Sequence, residues 1–458
     1  MPAPLRNDGR QGRVEADPDG AHDANSEQSP SLAPDHPASR PSRRSLRGLD
    51  WFVFFLADTQ MGFGPLVAVY LTAEKWTQGD IGLVLTAGGL IALAGQMPGG
   101  ALVDGVRSER VLAAFAVVAI GASAFLIGAW PVFTVVLAAK LLHSAASCIL
   151  GPAIAAISLG LVGHSAIAER LGRNARFASI GAGLAAAGMG TAAYLISNQA
   201  VFFITAALCV PTLFALWMIG SGQVDPEQAH GGKARPHPGD PTATLRMLMQ
   251  NRPLMVFAGC LALFHLANAA MLPLTAGMVT MRSGEWAAAL VGACILVPQI
   301  VVAVLAPWIG RQATIRGRRP LLLIGFGALP LRGVFLAFVS DPDMLVAVQI
   351  LDGISAAALA VLVPLVIADV TRGTGHFNLA QGVIGTAVGI GASISTTLAG
   401  YSADHFGTAT AFVMLGGLAT AGFFAVLAYM PETAGFAADR NDSRRGALLL
   451  KVSRAPQR

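Results

Sequence analysis

Apolar runs of about 20 residues dominate this chain and restrict its possible folds more than any other feature. They follow one another from Leu49 to Met430, and each can cross a hydrocarbon core about 30 Å thick. The runs are apolar on all sides and lack the amphipathic periods of soluble helices and strands. The sequence therefore predicts an all-α membrane protein with about twelve transmembrane helices, and it excludes a soluble fold.

The composition agrees with this prediction. Of the 458 residues, 54% are hydrophobic and 12% are charged, whereas soluble domains carry about 25% charged residues. The four cysteines stand singly inside apolar runs, so neither a zinc site nor a disulfide framework is expected. The chain has no G-x-x-x-x-G-K-S/T motif and no H-E-x-x-H motif. We therefore expect no enzymatic activity, no metal and no cofactor.

Polar segments divide the chain into predicted domains. Residues 1–46 are rich in Pro, Asp, Ser, Gly and Arg and are expected to form a disordered cytoplasmic segment. Six helices are predicted over 47–220, a cytoplasmic linker over 221–252, six more helices over 253–430 and a cytoplasmic tail over 431–458. We number the predicted spans 1 to 12 in chain order; they lie at about 49–71, 80–104, 110–129, 131–162, 175–196, 199–220, 253–280, 285–310, 320–340, 342–370, 377–403 and 407–430.

The basic residues lie almost entirely on one side of the predicted spans. Loops on the opposite side hold only Lys75 and Arg282. The basic residues on the side of the N-terminus are Arg40, Arg43, Arg44, Arg47, Arg107, Arg110, Arg170, Arg173, Arg176, Lys233, Arg235, Arg246, Arg252, Arg311, Arg316, Arg318, Arg319 and Arg372. Because positively charged loops stay in the cytoplasm, this bias predicts that both termini are cytoplasmic. It also explains the net charge of +5 without a nucleic-acid partner, and the high Ala and Gly content favours a bacterial inner membrane.

The two predicted six-helix bundles repeat each other at an offset of about 209 residues. The matched positions are Pro65 with Pro273, Gln60 with Asn268, Lys140-Leu-Leu-His143 with Gln349-Ile-Leu-Asp352, and Gly100-Ala-Leu-Val-Asp104 with Gly310-Arg-Gln-Ala-Thr314. Bundles of six helices enter and leave on the same side, so the repeat is parallel and its axis runs along the membrane normal.

The loop after span 2 resembles a signature of the major facilitator superfamily, G-x-L-x-D-R-x-G-R-R/K. Its sequence is Gly100-Ala-Leu102-Val-Asp104-Gly105-Val-Arg107-Ser108-Glu109-Arg110. Gly100, Leu102 and Asp104 match the pattern. The corresponding loop after span 8 keeps Gly310, Gly317, Arg318 and Arg319 but has Thr314 at the acid position. The resemblance covers roughly residues 47–430.

This resemblance implies a role for the loop. In the family it latches span 2 against span 11 on the cytoplasmic side, which implies a gating role for Asp104 with Arg107 or Arg110 as its partner. The alternative is that Asp104 only caps a helix end within a positively charged loop. The family signature in span 4, an Arg followed by x-x-Gln-Gly, is replaced here by Lys140-Leu-Leu-His143-Ser144.

Few ionisable residues lie near the middle of the predicted spans. They are Asp58 in span 1, Lys140 and His143 in span 4, His265 in span 7, Arg332 in span 9 and Asp352 in span 10. A charge there costs roughly 2.5–3.5 kcal/mol, so such residues usually face the protein interior or a wet cavity. Except for Arg332, they fall on the four spans that the resemblance implies line the central cavity. Uncharged candidates for the same cavity are Gln60, Asn268, Gln299 and Gln349.

Several roles are open for these residues. Asp58 is the candidate for proton coupling, but a static ion pair with Lys140 or direct contact with a substrate would also place a carboxylate there. Lys140 and Asp352 are candidates to bind the two charges of a zwitterion or to neutralise each other. His143 and His265 either titrate near neutral pH or act as packing residues. Arg332 lies toward the outer end of span 9 and is expected to snorkel outward.

These observations predict a secondary transporter of a small organic molecule that works by alternating access and is coupled to protons. The resemblance to facilitator-type efflux proteins favours export over uptake. The alternatives are an uptake permease or facilitator, a channel, and a membrane sensor that keeps a transporter fold without transporting. The expected partners are the substrate, protons and the lipid bilayer, and the protein is expected to be monomeric.

Overall fold

The computed structural model describes residues 41–61, 65–232, 241–283 and 286–434. The predicted N-terminal segment up to residue 40 and the tail from residue 435 lie outside these ranges. The side chains of Asp58 and Gln60, two predicted site residues, are also outside the described part.

All regular structure in the described ranges is helical. Two short helices, Pro226–Ala229 and Pro241–Met249, lie between the repeats. The spans are built as follows: span 1 from Arg43–Met61 and Pro65–Ala73; span 2 from Gln78–Ala94 and Gln96–Gly105; span 3 from Glu109–Ala129; spans 4 and 5 from Phe133–Leu195; span 6 from Asn198–Trp217; span 7 from Arg252–Asn268 and Met271–Ser283; span 8 from Ala287–Arg316; span 9 from Arg319–Phe338; span 10 from Pro342–Val370; span 11 from Phe377–Phe406; and span 12 from Thr408–Tyr429.

The described helices account for the twelve predicted spans. Nine helices are each long and apolar enough to cross a membrane, and the bent pair of span 2, whose parts meet at 47°, makes a tenth. The helix Phe133–Leu195 has 63 residues, about 95 Å at 1.5 Å per residue, and its backbone leaves the helical conformation at Gly163. It therefore supplies two spans, and the two helices of span 1 supply the last.

The largest boundary error concerns span 5. Residues 163–174 were predicted as a loop because they contain Arg170 and Arg173, but the structure is helical from just after Gly163. The positive φ of +68° at Gly163 makes the turn between spans 4 and 5 in a single residue. The two arginines are accommodated inside the helix because a buried carboxylate, described below, neutralises them.

The spans place their connections at two ends of the bundle. We call one the basic end; it holds the turns at 106–108, 163, 317–318 and 371–376. The other, the far end, holds the turns at 74–77, 130–132, 196–197, 339–341 and 407.

Buried apolar side chains form two large clusters, one for each repeat. The first is built from residues between Leu49 and Ala229. The second is built mainly from residues between Leu248 and Met430, but it also contains six residues from the first repeat: Ala155, Leu159, Ile167, Ala168, Leu171 and Ala175. These six flank the turn between spans 4 and 5, so the two repeats share a core at the basic end.

The outer surface of the spans is apolar. Phe115, Val210, Phe214 and Val304 are all at least 60% exposed, although each lies within a span. A soluble protein rarely exposes such a surface, whereas lipid tails solvate it without cost. The structure is thus that of a multi-pass membrane protein.

Candidate functional site

Arg332 organises the polar residues of the second repeat. The side chain is 1% exposed, and its Nη1 donates to Oδ1 of Asp352 at 2.5 Å and to Oδ1 of Asn268 at 2.7 Å. Nη2 donates to Oε1 of Gln349 at 2.7 Å. The prediction that Arg332 snorkels outward is therefore wrong, because these three acceptors compensate the guanidinium inside the bundle.

A sequence signal for this cluster was missed. Spans 9 and 10 run antiparallel and are joined by the short connection 339–341. Residues equally far from that connection lie at the same depth, so Arg332 is level with Gln349 and close to Asp352. Counting along span 9 alone gave the depth of Arg332 but not the face on which it lies.

Lys140 and His143 lie at the matching depth in the first repeat. Both are buried, at 9% and 8% exposure. A Cβ added at Gly88 of span 2 would lie 2.8 Å from Cγ of Lys140, so the lysine stem occupies the space that a side chain at position 88 would need. His143 lies with Nε2 3.4 Å from the hydroxyl of Ser147.

The predicted site residues fall into separate groups. Asn268, Gln349 and Asp352 converge on Arg332, so the ion-pair partner of Asp352 is Arg332 rather than Lys140. His265 is engaged within its own helix, where Nδ1 lies 3.0 Å from the carbonyl oxygen of Leu261.

Asp104 joins the two repeats at the basic end. Its side chain, 6% exposed, accepts hydrogen bonds from the backbone N–H groups of Asn378 at 3.2 Å and Leu379 at 2.8 Å, and from Nδ2 of Asn378 at 2.8 Å. These N–H groups belong to the first turn of span 11, where the helix dipole favours a negative charge. The carboxylate of span 2 thus caps the N-terminus of span 11.

The predicted arginine partners of Asp104 are engaged elsewhere or exposed. Arg110 donates from Nη2 to the carbonyl of Leu216 at 3.4 Å, and Arg107 is exposed, as is Leu102. The resemblance suggested a charge pair within the loop, but the structure gives Asp104 backbone and amide donors from the other repeat.

Gly100 and Gly310 occupy equivalent positions of close contact between the repeats. A Cβ at Gly100 would collide with the carbonyl oxygen of Asn378, and one at Gly310 would collide with the carbonyl oxygen of Ala168. Because both obstacles are backbone atoms, they cannot move aside as a flexible side chain would.

The loop after span 8 is anchored within the second repeat. Arg318 donates from Nε to Asp369 of span 10 at 2.8 Å. The backbone N–H groups of Arg318 and Arg319 donate to the carboxylate of Glu432, at 2.8 and 3.0 Å. Gly317, with φ of +87°, makes the turn against Glu432.

The segment 224–232, here called the strap, packs against the first repeat at the basic end. Val224 and Ala229 are buried in the core of that repeat. Asp225 caps the short helix of the strap, and its backbone N–H donates to the carbonyl of Gly160 at 3.0 Å. The polar, proline-containing sequence predicted only a linker here, whereas this part of it is ordered against span 4.

The strap also binds the second repeat. The N–H groups of Gly373 and Phe377 donate to the carbonyls of Gly231 and His230, at 2.5 and 3.3 Å. Gly232 has φ of +127°, and a Cβ added there would lie 2.9 Å from Cα of Gly373. Gly232 and Gly373 therefore allow the backbones of the strap and the second repeat to meet, and the strap bridges the two repeats.

His230 of the strap lies in a negatively charged surrounding. Its Nε2 is 3.0 Å from Oε1 of Glu109, which is an ion-pair distance without hydrogen-bond alignment. Burial by itself lowers the pKa of His230, but the contact with Glu109 and the charges of Glu109 and Asp104 raise the pKa above its ordinary value. The protonated imidazole is thus stabilised in the folded protein.

The pairing of His230 with Glu109 predicts that the strap is bound more tightly to the first repeat at acidic pH. A histidine with a raised pKa contributes stability that is fully present below its ordinary value of about 6.5 and is lost as the pH rises through the raised value. We expect the amides of 224–232 to exchange about fivefold more slowly near pH 6 than near pH 8.5, after correction for intrinsic rates, as a contribution of about 1 kcal/mol requires. The measurement is hydrogen exchange with mass spectrometry. In the variant His230→Gln this dependence should vanish, and its persistence would contradict the assignment.

A second buried ion pair fixes spans 1 and 5 to each other. Asp50, 2% exposed, accepts from Nη2 of Arg170 at 2.5 Å and from Nη2 of Arg173 at 2.6 Å. Arg170 is nearly as buried as Asp50, with 4% of its side chain exposed, whereas the Arg173 side chain is 54% exposed. Asn174 extends the network by accepting from Nε of Arg170 at 2.7 Å.

Metal ligation has no candidate in the described ranges. No group of three or more His, Cys, Asp or Glu side chains there is arranged to hold a metal ion.

Sequence comparison identifies the family. A profile of the Major Facilitator Superfamily matches residues 51–297 and 264–456. The chain belongs to the Major Facilitator Superfamily. Uncharacterized MFS-type transporters from two strains of Mycobacterium tuberculosis are each 38% identical to it over 397 residues, which cover 85% of this chain and 94% of the relative.

Solved structures of this superfamily share the fold. The Escherichia coli fucose:proton symporter FucP is 15% identical and superimposes with a TM-score of 0.65 over 83% of this chain and 97% of that one. The human organic anion transporter MFSD10 is 16% identical, with a TM-score of 0.61 over 84% of this chain and 99% of that one. The twelve-span, two-repeat architecture is therefore the fold of a superfamily of transporters.

Proposed function

We propose that this protein is a secondary active transporter that exports a small organic molecule across the bacterial inner membrane, driven by the proton gradient. The observation that carries the proposal is the charge held inside the spans. Asp352 and Arg332 form an ion pair in the second repeat, and Lys140 and His143 lie at matching depth in the first. Ionisable residues within a membrane are costly and mark the path of a substrate or ion.

In this proposal the basic end faces the cytoplasm, in keeping with the positive-inside rule. The two repeats rock about a site near the middle of the membrane. Asp104 is the gate residue, because its hydrogen bonds to Asn378 and Leu379 must break before the basic end opens. The strap must release Gly373 and Phe377 in the same step.

Asp58 is the proposed coupling carboxylate. It precedes Gly62-Phe-Gly-Pro65, a sequence that weakens a helix and allows its surroundings to change. A carboxylate binds a proton when it loses water or a neighbouring cation and releases the proton when they return. The proton symport of the fold neighbour FucP supports this kind of coupling. Export rests on the resemblance to facilitator-type efflux proteins.

Replacing Asp58 with Asn should abolish accumulative transport while leaving membrane insertion intact. Asn keeps the size of the side chain but cannot exchange a proton. The measurement compares metabolites in cells and medium for strains expressing the wild type or Asp58→Asn at equal membrane abundance. Asp343→Asn is the matched control, since it removes the same charge from an exposed side chain at the far end.

The outcomes separate the candidate functions. A compound enriched in the medium of the wild type and the control, but not of Asp58→Asn, supports proton-driven export. Enrichment inside the cells means uptake, and full gradient-driven activity of Asp58→Asn rules out this residue as the coupling group. Identical profiles under several growth conditions favour a sensor with a transporter fold.

A further inference from the structure

Arg332 is the largest fully buried side chain of the described structure, and its position within the cluster is distinctive. It lies on span 9, whereas the residues it holds lie on spans 7 and 10. Its Nε has no hydrogen-bond partner among the described residues. The guanidinium is therefore held only through its two terminal nitrogens, both of which donate to residues of neighbouring spans.

The exposure of the two charges differs. The Asp352 side chain is 19% exposed, whereas that of Arg332 is 1% exposed. A proton or a cationic group that enters the bundle meets the carboxylate before it meets the guanidinium. Arg332 thus acts through Asp352 and is a positioning residue rather than a contact for the substrate.

Nη1 of Arg332, which binds Asp352, also binds the residue that precedes a break in span 7. Asn268 is the last residue of the helix Arg252–Asn268, and a new helix begins at Met271. At the break, the N–H of Ala270 donates to the hydroxyl of Ser395 in span 11 at 3.1 Å. Because Nη1 donates to both Asn268 and Asp352, a change at Asp352 acts directly on the residue that ends the helix.

We propose that Arg332 transmits the charge state of Asp352 to the break in span 7. This inference rests on the proposed function, in which Asp352 lies on the path of a proton or substrate. When Asp352 is neutralised, the buried guanidinium loses its counter-charge, and an uncompensated buried charge is strongly unfavourable. The bonds of Arg332 to Asn268 and Gln349 then rearrange, and the segment 269–283 at the far end moves relative to spans 9 and 10.

The chemistry of arginine suits this role. Its planar guanidinium presents N–H donors in a fixed fork and can bind acceptors on two helices at once. A lysine at the same position would keep the positive charge but would place a single ammonium group on a flexible stem. The substitution Arg332→Lys therefore keeps the positive charge opposite Asp352 but removes the hydrogen bond to Asn268.

The test is hydrogen exchange of the full-length protein in lipid nanodiscs, measured for the segment 269–283. In Asp352→Asn and in Arg332→Lys, exchange of this segment should be about tenfold faster than in the wild type, as expected for the loss of a charge-assisted hydrogen bond. The matched control is Asp369→Asn, because the pair of Arg318 and Asp369 joins the turn before span 9 to span 10 at the basic end. It should leave the exchange of 269–283 unchanged.

The double variant Arg332→Gln/Asp352→Asn keeps the test valid if Asp352→Asn does not fold. It is charge-balanced, so it should fold, and its segment 269–283 should still exchange faster because Asn268 has lost its cationic donor. Wild-type exchange of 269–283 in Arg332→Lys and in the double variant would overturn the proposal. The readout does not depend on transport, so unchanged metabolite profiles with faster exchange would reject the proposed function alone.

Discussion

Asp50→Asn is expected to destabilise the folded protein by about 3–5 kcal/mol, the cost of leaving a buried charge without its partner. Asp50 is the carboxylate that neutralises Arg170, and both side chains are less than 5% exposed. With asparagine in its place, the Arg170 cation remains inside the bundle without a counter-charge. Thermal unfolding followed with a thiol-reactive dye measures the effect, because Cys148, Cys209, Cys260 and Cys294 are free and buried. The unfolding midpoint should fall by several degrees.

Arg173→Gln is the matched control for this prediction. The Arg173 side chain binds the same carboxylate but is 54% exposed, so its removal should cost no more than about 1 kcal/mol. The double variant Asp50→Asn/Arg170→Gln removes both buried charges and should recover much of the lost stability. A midpoint for Asp50→Asn equal to that of Arg173→Gln would show that the pair does not hold spans 1 and 5 together.

Gly100→Leu is expected to prevent closure of the basic end. The new side chain would meet the backbone of Asn378 and Leu379, which cannot yield without moving span 11. Leucine favours a helix more than glycine does, so any loss of closure cannot be attributed to a weakened span 2. The amides of Gly373, Phe377, Asn378 and Leu379 donate across the interface and report closure directly.

Hydrogen exchange at 373–379 measures this effect. We expect Gly100→Leu to accelerate exchange there by roughly a hundredfold, because several hydrogen bonds open together. Gly105→Leu is the control: it lies five residues further along the same helix, and a Cβ there meets nothing within 4 Å. Wild-type protection at 373–379 in Gly100→Leu would contradict the view that these residues hold the repeats together.

The apolar runs were sufficient to predict the helical fold, because a membrane requires each run to form a helix of a certain length. The parallel repeat also followed from matched positions such as Lys140 and Gln349. Boundaries failed where charges are neutralised inside a helix. The charge of Arg170 suggested a loop. The sequence does not show that Asp50, 120 positions earlier, lies beside Arg170 and neutralises it inside the helix.

The candidate site was only partly predictable for a similar reason. The depth of a residue follows from its position along a span, and the cost of a polar group in lipid assigned Asn268, Gln349 and Asp352 to the bundle interior. The face on which a residue lies does not follow in a span that is apolar on all sides, and Arg332 was misassigned for that reason. The ordered position of the strap was not predicted because its contacts are mainly backbone hydrogen bonds, which almost any residue type can form.

The shared core at the basic end has a consequence for biosynthesis. Ala155, Leu159 and Leu171 of the first repeat are buried among residues of the second. While the ribosome makes the chain, the first six spans are completed before the polypeptide that covers this surface exists. Until then the surface is open to premature contacts, a hazard for proteins whose parts are made in sequence. A first repeat produced alone would keep that surface exposed, so expressing the two repeats as separate polypeptides should require their simultaneous synthesis.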